Sequence, residues 1–426
     1  MWLVLFVIIV FLIAVVLMWK KNPYHPLLVY VGIWLLVIGL WCLDDIFSII
    51  GYIKISKEAW FNFLVIHFAF ALGSITATLM LLHSRNKINI SVLNPTPTPH
   101  NPNYSKKVVY ISYLFFLLSG IGYLSYISLV LKSVNLGSGI IGVFRQWNYE
   151  VAYGNLGQFG GLMGRLYTLP QIAIPFNVYI ISFIPKNRKK IIILLSIAEF
   201  FFLLSPRRAL LFQTAILVLL ILLITKKIRI TIKTISLSMF LLFLFSYSQF
   251  MLNKSMGNGL LGGLKDIYVY ITGNIPSFEI LMNIKREDNG NMSFANFYNI
   301  FNSIGYNFNN VDMSIAFVNI PIPFNTVPYN YYFLMDFGIW GSFLVIFLVA
   351  YVITYLFYKT RYSKDSLNIQ KFSILYIYCY LLMGVIFSFR ENVWITYNSL
   401  FLITLSLFLA VVFKKNDKKK ESKVGE

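Results

Sequence analysis

Residues 337–358 read FGIWGSFLVIFLVAYVITYLFY, a run without Asp, Glu, Lys or Arg. A helix needs roughly 20 mainly apolar residues to cross a bilayer, because the hydrocarbon core is about 30 Å thick. This run is therefore predicted to span a membrane. Similar runs recur along the chain and predict an all-α transmembrane bundle of about eleven spans, at residues 2–19, 27–43, 59–82, 108–131, 165–184, 191–204, 209–224, 235–251, 337–358, 372–388 and 394–413.

The composition is typical of a polytopic membrane protein. Of the 426 residues, 58% are apolar and 12% are charged, and the mean hydropathy is +0.71. Soluble proteins carry about 25% charged residues. We therefore expect one integral membrane domain over residues 1–426, with an external loop subdomain at 252–336 between spans 8 and 9. Cys42 and Cys379 lie at or within apolar runs and do not indicate a disulfide framework.

The positions of Lys and Arg orient the spans. Alternate connections and the C-terminal tail hold 24 of the 36 basic residues but only 4 of the 16 acids. Cytoplasmic loops are enriched in Lys and Arg, so the N-terminus is predicted outside and the C-terminus in the cytoplasm. The net charge of +20 then lies on the cytoplasmic face. The basic composition therefore does not indicate nucleic acid as a partner.

The candidates for chemistry are ionisable residues near the external face, because such groups are costly beside lipid unless they have a function. Arg207 and Arg208 lie in a short turn between two predicted spans, on the face where positive charge is disfavoured. Arginine can bind two phosphate oxygens through parallel hydrogen bonds, so the pair indicates an anion site. The alternative is that both side chains are interfacial anchors.

Further candidates lie near the same face. Glu199 lies about five residues into the membrane from the arginine turn, as a catalytic base or as a structural partner of an arginine. Asp336 opens the ninth span, as a catalytic carboxylate or as an N-cap. The substrate-binding candidates are Arg165 at the start of the fifth span, Arg390 in the last external turn, which is alternatively just a polar turn, and Arg145 in the first long external loop.

No metal or other cofactor is predicted. The predicted external face carries no histidine, and His67, in the middle of the third span, is expected to be a packing residue. The adjacent acids Asp44 and Asp45 favour a helix-end cap over a divalent-metal site. The 252–336 loop is rich in Asn, Tyr and Phe, which suit sugar rings, and residues 275–282 are predicted to form a short amphipathic helix on the membrane surface.

Two passages resemble a known family. Residues 205–211 read SPRRALL, which is similar to the Ser-x-Arg-x-x-Leu-Leu passage of oligosaccharide repeat-unit polymerases of the Wzy type. Residues 325–341 read NTVPYNYYFLMDFGIWG, which looks like the threonine–tyrosine–Asp-Phe-Gly-x-x-Gly passage that enters a late span in that family. The predicted topology, with a long external loop late in the chain, is also similar.

The resemblance implies a glycosyltransferase of a bacterial plasma (inner) membrane. It would polymerise repeat units carried on undecaprenyl diphosphate at the outer leaflet, into O-antigen, capsule or a related polysaccharide. Arg207 and Arg208 would stabilise the leaving diphosphate, and Glu199 or Asp336 would take the acceptor proton. A flippase and a chain-length regulator are the partner proteins that the resemblance implies. The alternatives are a lipid-linked oligosaccharide flippase or transporter, and an O-antigen ligase.

Overall fold

The computed structural model describes residues 8–9, 11–13, 15, 24–87, 102–133, 142–143, 146, 161–181, 184–203, 208–225, 259–284, 292–303, 305–308, 315, 317–361 and 369–424. The chain divides into two units. The first comprises Met1–Leu93, Thr231–Tyr362 and Leu381–Ser399. The second comprises Asn94–Ile230, Ser363–Tyr380 and Leu400–Glu426.

The first unit combines long helices with short external elements. Its helices are α1 (Pro26–Phe47), α2 (Lys57–Lys87), α8 (Gly259–Thr272), α9 (Asn274–Met282), α10 (Ala295–Ser303) and α11 (Asn330–Arg361). A 3₁₀ turn at Met292–Phe294 precedes α10, and β1 (Val318–Asn319) pairs antiparallel with β2 (Pro323–Phe324). A second 3₁₀ turn lies at Val393–Ile395.

The second unit is built from helices. They are α3 (Pro102–Ser133), α4 (Gly161–Thr168), α5 (Pro170–Ile180), α6 (Lys186–Leu203) and α7 (Arg208–Ile224). Two further helices, α12 (Ile369–Ile386) and α13 (Tyr397–Val424), each contribute residues to both units. The prediction of an all-α protein is therefore confirmed for the part of the chain that the structure describes.

Five described helices are long and apolar enough to cross a membrane. They are Pro26–Phe47, Lys57–Leu81, Lys106–Lys132, Asn330–Thr360 and Ile369–Ile386, and shorter apolar helices lie at Leu210–Ile224 and Asn398–Val412. The predicted span at 235–251 and most of the one at 2–19 lie outside the described residues. The structure therefore agrees with a multi-pass membrane protein, while the number of about eleven spans stays a prediction.

The predicted fifth span is helical but irregular at Pro170. Helix α4 ends at Thr168 and α5 begins at Pro170, with Leu169 in a turn between them. Proline has no N–H to donate and its ring crowds the preceding turn, so the helical hydrogen-bond pattern is interrupted there. Leu169 itself keeps helical dihedral angles, φ −53° and ψ −32°, so the described residues 165–181 continue the predicted span through this irregularity.

The closest helix packing in the first unit joins α2 to α11. Gly73 on α2 faces the backbone carbonyl of Phe347 on α11, so a side chain at position 73 would overlap that carbonyl. About two turns further along α11, the Thr354 hydroxyl donates to the hydroxyl of Ser74, the residue next to Gly73, at 3.1 Å. Small residues allow helix backbones to approach closely in membranes, where packing and hydrogen bonds hold helices together.

The predicted external loop at 252–336 contains secondary structure. Helices α8, α9 and α10, the hairpin and the start of α11 all fall within it. Helix α9 matches the short helix predicted at 275–282, but Ile275, Phe278 and Leu281 are buried. The prediction that this helix lies on the membrane surface is therefore wrong. Its Glu279 accepts hydrogen bonds from the Ser56 amide and hydroxyl, at 3.0 and 2.8 Å, at the start of α2.

Helix α8 is attached to α1 through a tyrosine. The Tyr268 hydroxyl donates to the carbonyl of Leu40 at 2.6 Å. Burial raises the pKa of Tyr268 to about 12, so the hydroxyl keeps its proton, and this hydrogen bond, to a more alkaline pH than an exposed tyrosine would.

Candidate functional site

Three of the predicted site residues have side chains outside the described part of the chain. Arg145 and Arg207 are not among the described residues, and Arg208 is the first residue of α7, for which only the backbone is described. Their assignments stay predictions. The other four candidates fall in different units, with Glu199 and Arg165 in the second and Asp336 and Arg390 in the first.

Glu199 on α6 is fully buried. Its Oε2 accepts a hydrogen bond from the side-chain Nδ2 of Asn177 on α5 at 3.1 Å, while its Oε1 has no hydrogen-bond partner among the described residues. The Oδ1 of Asn177 is also buried and without a partner there. Burying a polar atom without a hydrogen bond is costly. The Glu199–Asn177 pair therefore has the capacity to bind a further hydrogen-bonding group.

The partner of Glu199 was not anticipated. The sequence suggested an arginine as its structural partner, whereas the structure provides the amide of Asn177. The same helix carries a second buried amide, Gln171, whose Nε2 donates to the Oε1 of Gln213 on α7 at 3.0 Å. A signal for both was present, since Gln171 and Asn177 interrupt an otherwise apolar segment of a predicted span.

Arg165 lies on α4 in the second unit and is partly buried. Its backbone carbonyl accepts a hydrogen bond from the Thr168 hydroxyl at 2.9 Å. Helix α4 packs closely on α3, where Gly122 lies against the backbone of Leu166 and Tyr167. Arg165 is thus held on a short helix whose backbone position is fixed by this contact.

Asp336 binds backbone amides of another element. Its Oδ1 accepts from the amide of Met292 at 2.8 Å and its Oδ2 from the amide of Ser293 at 2.5 Å. These amides begin the 3₁₀ turn that leads into α10, so Asp336 acts as an N-cap for a helix that precedes it in the chain. The prediction that it caps its own span is wrong in this respect, because Asp336 lies inside α11.

The residues after Asp336 form a break in α11. Gly338 has φ 64° and ψ −173°, a conformation that is essentially restricted to glycine. Phe337 packs against Gly341, where an added Cβ would overlap the Phe337 side chain. Each fixed position of the Asp-Phe-Gly-x-x-Gly pattern therefore has a structural role. Asp336 caps the turn before α10, and Gly338 allows the backbone break. Gly341 leaves room for the ring of Phe337.

Arg390 lies in the turn between α12 and the 3₁₀ turn at Val393–Ile395, as predicted. Its guanidinium lies over the ring of Tyr270 on α8, with the guanidinium carbon 3.9 Å from the ring centroid. The N–H groups of a guanidinium point outward in its plane, so stacking on an aromatic face leaves them available. The Nε atom is buried and has no hydrogen-bond partner among the described residues. This arrangement can present a fixed positive group to an oxyanion.

Two buried side-chain amides belong to the same part of the first unit as Arg390. Asn392 is two residues away in the sequence, and Asn330 follows Tyr329, which hydrogen-bonds to Ser388. Asn330 is fully buried, and neither polar atom of its side chain has a partner among the described residues. The Nδ2 of Asn392 donates to the carbonyl of Tyr329 at 3.4 Å, and its Oδ1 is unpartnered within the same described set. The amide of Tyr329 donates to the carbonyl of Ser388 at 2.9 Å. Residues 388–392 and 329–330 thus form one polar cluster in the first unit.

A hydrogen-bond chain leads from this cluster into the membrane helices. The Tyr30 hydroxyl is 3.2 Å from the Tyr329 hydroxyl and 2.7 Å from the Nδ1 of His67. The His67 ring also packs edge-on against Trp34, with ring centroids 4.8 Å apart. His67 is therefore a packing residue, as predicted, but it also supports Tyr329 through Tyr30.

The acids at the other end of α1 have a structural role too. Asp44 accepts from the backbone amides of Ile50, Gly51 and Tyr52, at 2.6, 3.3 and 2.8 Å. This agrees with the expected helix-end cap. Among the described residues, no group of three or more His, Cys, Asp or Glu side chains could hold a metal ion.

In comparisons with known proteins, the chain matches no protein-family model, no curated protein and no solved structure.

Proposed function

We propose that this chain is a membrane glycosyltransferase that polymerises oligosaccharide repeat units carried on undecaprenyl diphosphate. The reaction would take place at the outer leaflet of a bacterial plasma membrane, with the N-terminus outside and the C-terminus in the cytoplasm. The support comes from the apolar helices, the distribution of basic residues and the two motif passages at 205–211 and 325–341. The products would be O-antigen, capsule or a related polysaccharide.

The reaction exchanges one bond at the anomeric carbon. The bond from the first sugar of the growing glycan to its diphosphate oxygen breaks, and a bond from the same carbon to an acceptor hydroxyl oxygen forms. The acceptor is a single repeat unit on the same lipid. The hydroxyl proton passes to a carboxylate, and the lipid diphosphate leaves with the bonding electrons. Such a step requires fixed positive groups for the leaving charge and a base near the acceptor.

The observation that carries the proposal is the buried Glu199. It has one oxygen on Asn177 and one without a partner among the described residues, so a hydroxyl could donate to it without displacing a protein group. Its helix ends at Leu203, and Arg208 begins the next helix. A short chain segment therefore connects the proposed base to the proposed diphosphate-binding arginines, Arg207 and Arg208.

Arg390 and Arg165 are proposed to bind substrate phosphate or glycan, as is Arg145. Arg390 is the best supported of the three, because its guanidinium is fixed on Tyr270. The amides of Asn330 and Asn392 provide hydrogen-bonding groups of the type that sugars use. Asp336 is the weaker catalytic candidate, since both of its oxygens already accept backbone hydrogen bonds.

The test is the length of surface glycan in the natural host, with the chromosomal gene replaced by Glu199→Gln, Arg207→Ala or Arg208→Ala. Each variant is expected to give glycan with a single repeat unit. Removing one donor to developing charge, as in the arginine variants, typically costs about 10²–10³ in rate, and removing a general base, as in Glu199→Gln, typically costs about 10²–10⁴. Lys132→Ala is the matched control. It removes a positive charge from an exposed position at the end of α3 and is expected to leave glycan length unchanged.

The amount of each variant in the membrane is quantified for the same samples. A reporter fused to the C-terminus should indicate a cytoplasmic location in every variant. Wild-type glycan length in all three variants, at normal protein level, would refute the proposed site. The rival functions give different patterns. A flippase variant would lose single-unit glycan as well as polymer, whereas a ligase variant would accumulate polymer that is still attached to undecaprenyl diphosphate.

A further inference from the structure

An aromatic surface is exposed at α10 and the residues that follow it. The relative solvent accessibility lies between 37% and 60% for each of the residues Phe294, Phe297, Phe301, Tyr306 and Phe308. Rings of this surface contact one another, with centroids 5.9 Å apart for Phe301 and Phe308 and 6.2 Å apart for Tyr306 and Phe308. A contiguous apolar patch of this kind marks an interaction surface rather than chance exposure.

The chemistry of the patch limits what it can bind. Residues 292–308 contain no Asp, Glu, Lys, Arg or His, and their polar side chains are those of Asn, Ser and Tyr. A partner recognised through charge is therefore not indicated. Aromatic rings combined with uncharged hydrogen-bonding groups are favoured at the boundary between the headgroups and the acyl chains of a bilayer.

The position of α10 is fixed relative to the apolar part of α11. Asp336 holds the amides of Met292 and Ser293, and the Phe294 ring lies 5.9 Å from the ring of Phe337. The uncharged run of α11 begins at Phe337. The aromatic surface is thus attached at the point where α11 is predicted to enter the membrane.

The exposed surface of α11 continues from this point. Its exposed residues recur every three or four positions, at Trp340, Leu344, Leu348, Val352 and Tyr355. This spacing places them on one face of the helix. In a helix long and apolar enough to span a bilayer, such a face contacts lipid acyl chains. The aromatic surface of α10 is therefore adjacent to the start of a lipid-facing stripe.

We propose that the aromatic face of α10 inserts into the headgroup–acyl boundary of the outer leaflet and anchors the 252–336 segment to the membrane surface. An interfacial helix typically buries its apolar face about 5–10 Å into this boundary. This inference is independent of the enzymatic activity proposed above. The helix at the membrane surface would then be α10. Helix α9, which the sequence predicted there, is buried within the first unit.

The test measures the depth of α10 in the full-length protein, reconstituted in nanodiscs of phosphatidylethanolamine and phosphatidylglycerol. Phe297→Cys and Phe301→Cys are each labelled with an environment-sensitive fluorophore such as NBD. Asn319→Cys, at an exposed position in the hairpin, is the matched control. The native Cys42 and Cys379 are buried, so the unsubstituted protein serves as the labelling blank.

The labels at 297 and 301 are expected to emit at shorter wavelength than the label at 319. They should also lose more fluorescence to a lipid carrying a doxyl group at acyl carbon 5 than to one carrying it at carbon 12. Water-like emission at 297 and 301, with no quenching by either lipid, would overturn the proposal. That result would instead favour a sugar-stacking surface facing the solvent.

A second measurement uses the unsubstituted protein and so does not depend on the folding of the variants. A phospholipid with a photoreactive diazirine near its headgroup is included in the nanodisc, and cross-linked peptides are mapped by mass spectrometry. Cross-links are expected within 294–308 as well as near Trp340 on α11. Labelling near Trp340 without any in 294–308 would exclude insertion of α10.

Discussion

Replacing Asp336 with Ala tests whether this carboxylate holds α10 in place. The change removes two hydrogen bonds that a charged group receives from the amides of Met292 and Ser293, at 2.8 and 2.5 Å. Hydrogen bonds to charged groups contribute about 1.5–3 kcal/mol each, but Asp336 is partly exposed and solvent screening lowers this value. We therefore expect local opening of α10 to become easier by about 2 kcal/mol, which is about 30-fold in the opening equilibrium.

The assay is amide hydrogen exchange of peptides covering 292–303 in detergent-solubilised protein. Asp336→Asn keeps one of the two acceptor oxygens, so its exchange should increase by about fivefold, which corresponds to about 1 kcal/mol. Peptides of α3, in the second unit, should exchange as in the wild type and serve as the internal control. Unchanged exchange of α10 in Asp336→Ala would refute the capping role. Loss of glycan polymer in Asp336→Asn with unchanged exchange would instead assign the carboxylate to catalysis.

Two glycines give further predictions that thermal unfolding in detergent can check, with Gly39→Ala as the common control because a Cβ there meets nothing within 4 Å. Gly338→Ala is expected to destabilise by about 1–3 kcal/mol through backbone strain alone, since no atom lies within 4 Å of the added Cβ; an unchanged Tm would contradict this. Gly73→Ala should also lower the stability of the folded protein by about 1–3 kcal/mol through overpacking, because its Cβ would meet the Phe347 carbonyl. A Tm equal to that of Gly39→Ala would show that α2 and α11 can move apart without cost.

The membrane helices could be predicted from the sequence because hydrophobicity acts locally. The uncharged run at 337–358 lies within α11, and the run at 59–82 lies within α2. Hydropathy did not indicate the irregularity at Pro170, because hydropathy is insensitive to a missing amide hydrogen. The proline inside this apolar run was the local signal for the irregularity.

The polar contacts could not be predicted because they join residues that are distant in the sequence. Asp336 is 44 residues from Met292, and nothing in the local pattern distinguishes a cap for α10 from a cap for α11. The same applies to Glu199, whose partner Asn177 is 22 residues away. The carboxylates of Glu199 and Asp336 stood out in the sequence as charged groups beside apolar runs, whereas the uncharged amide of Asn177 did not.

The break at Gly338 divides α11 into two helical segments joined by one residue of defined, non-helical conformation. In an unbroken helix, each inserted or deleted residue rotates everything beyond it by about 100° around the axis, because there are 3.6 residues per turn. Here, an insertion before Gly338 would be absorbed at the break, so the face presented by Trp340 and Leu344 would keep its orientation. The segment ahead of Gly338 could therefore change in length and sequence, between related proteins or in an engineered chimera, without rotating the apolar helix that follows it.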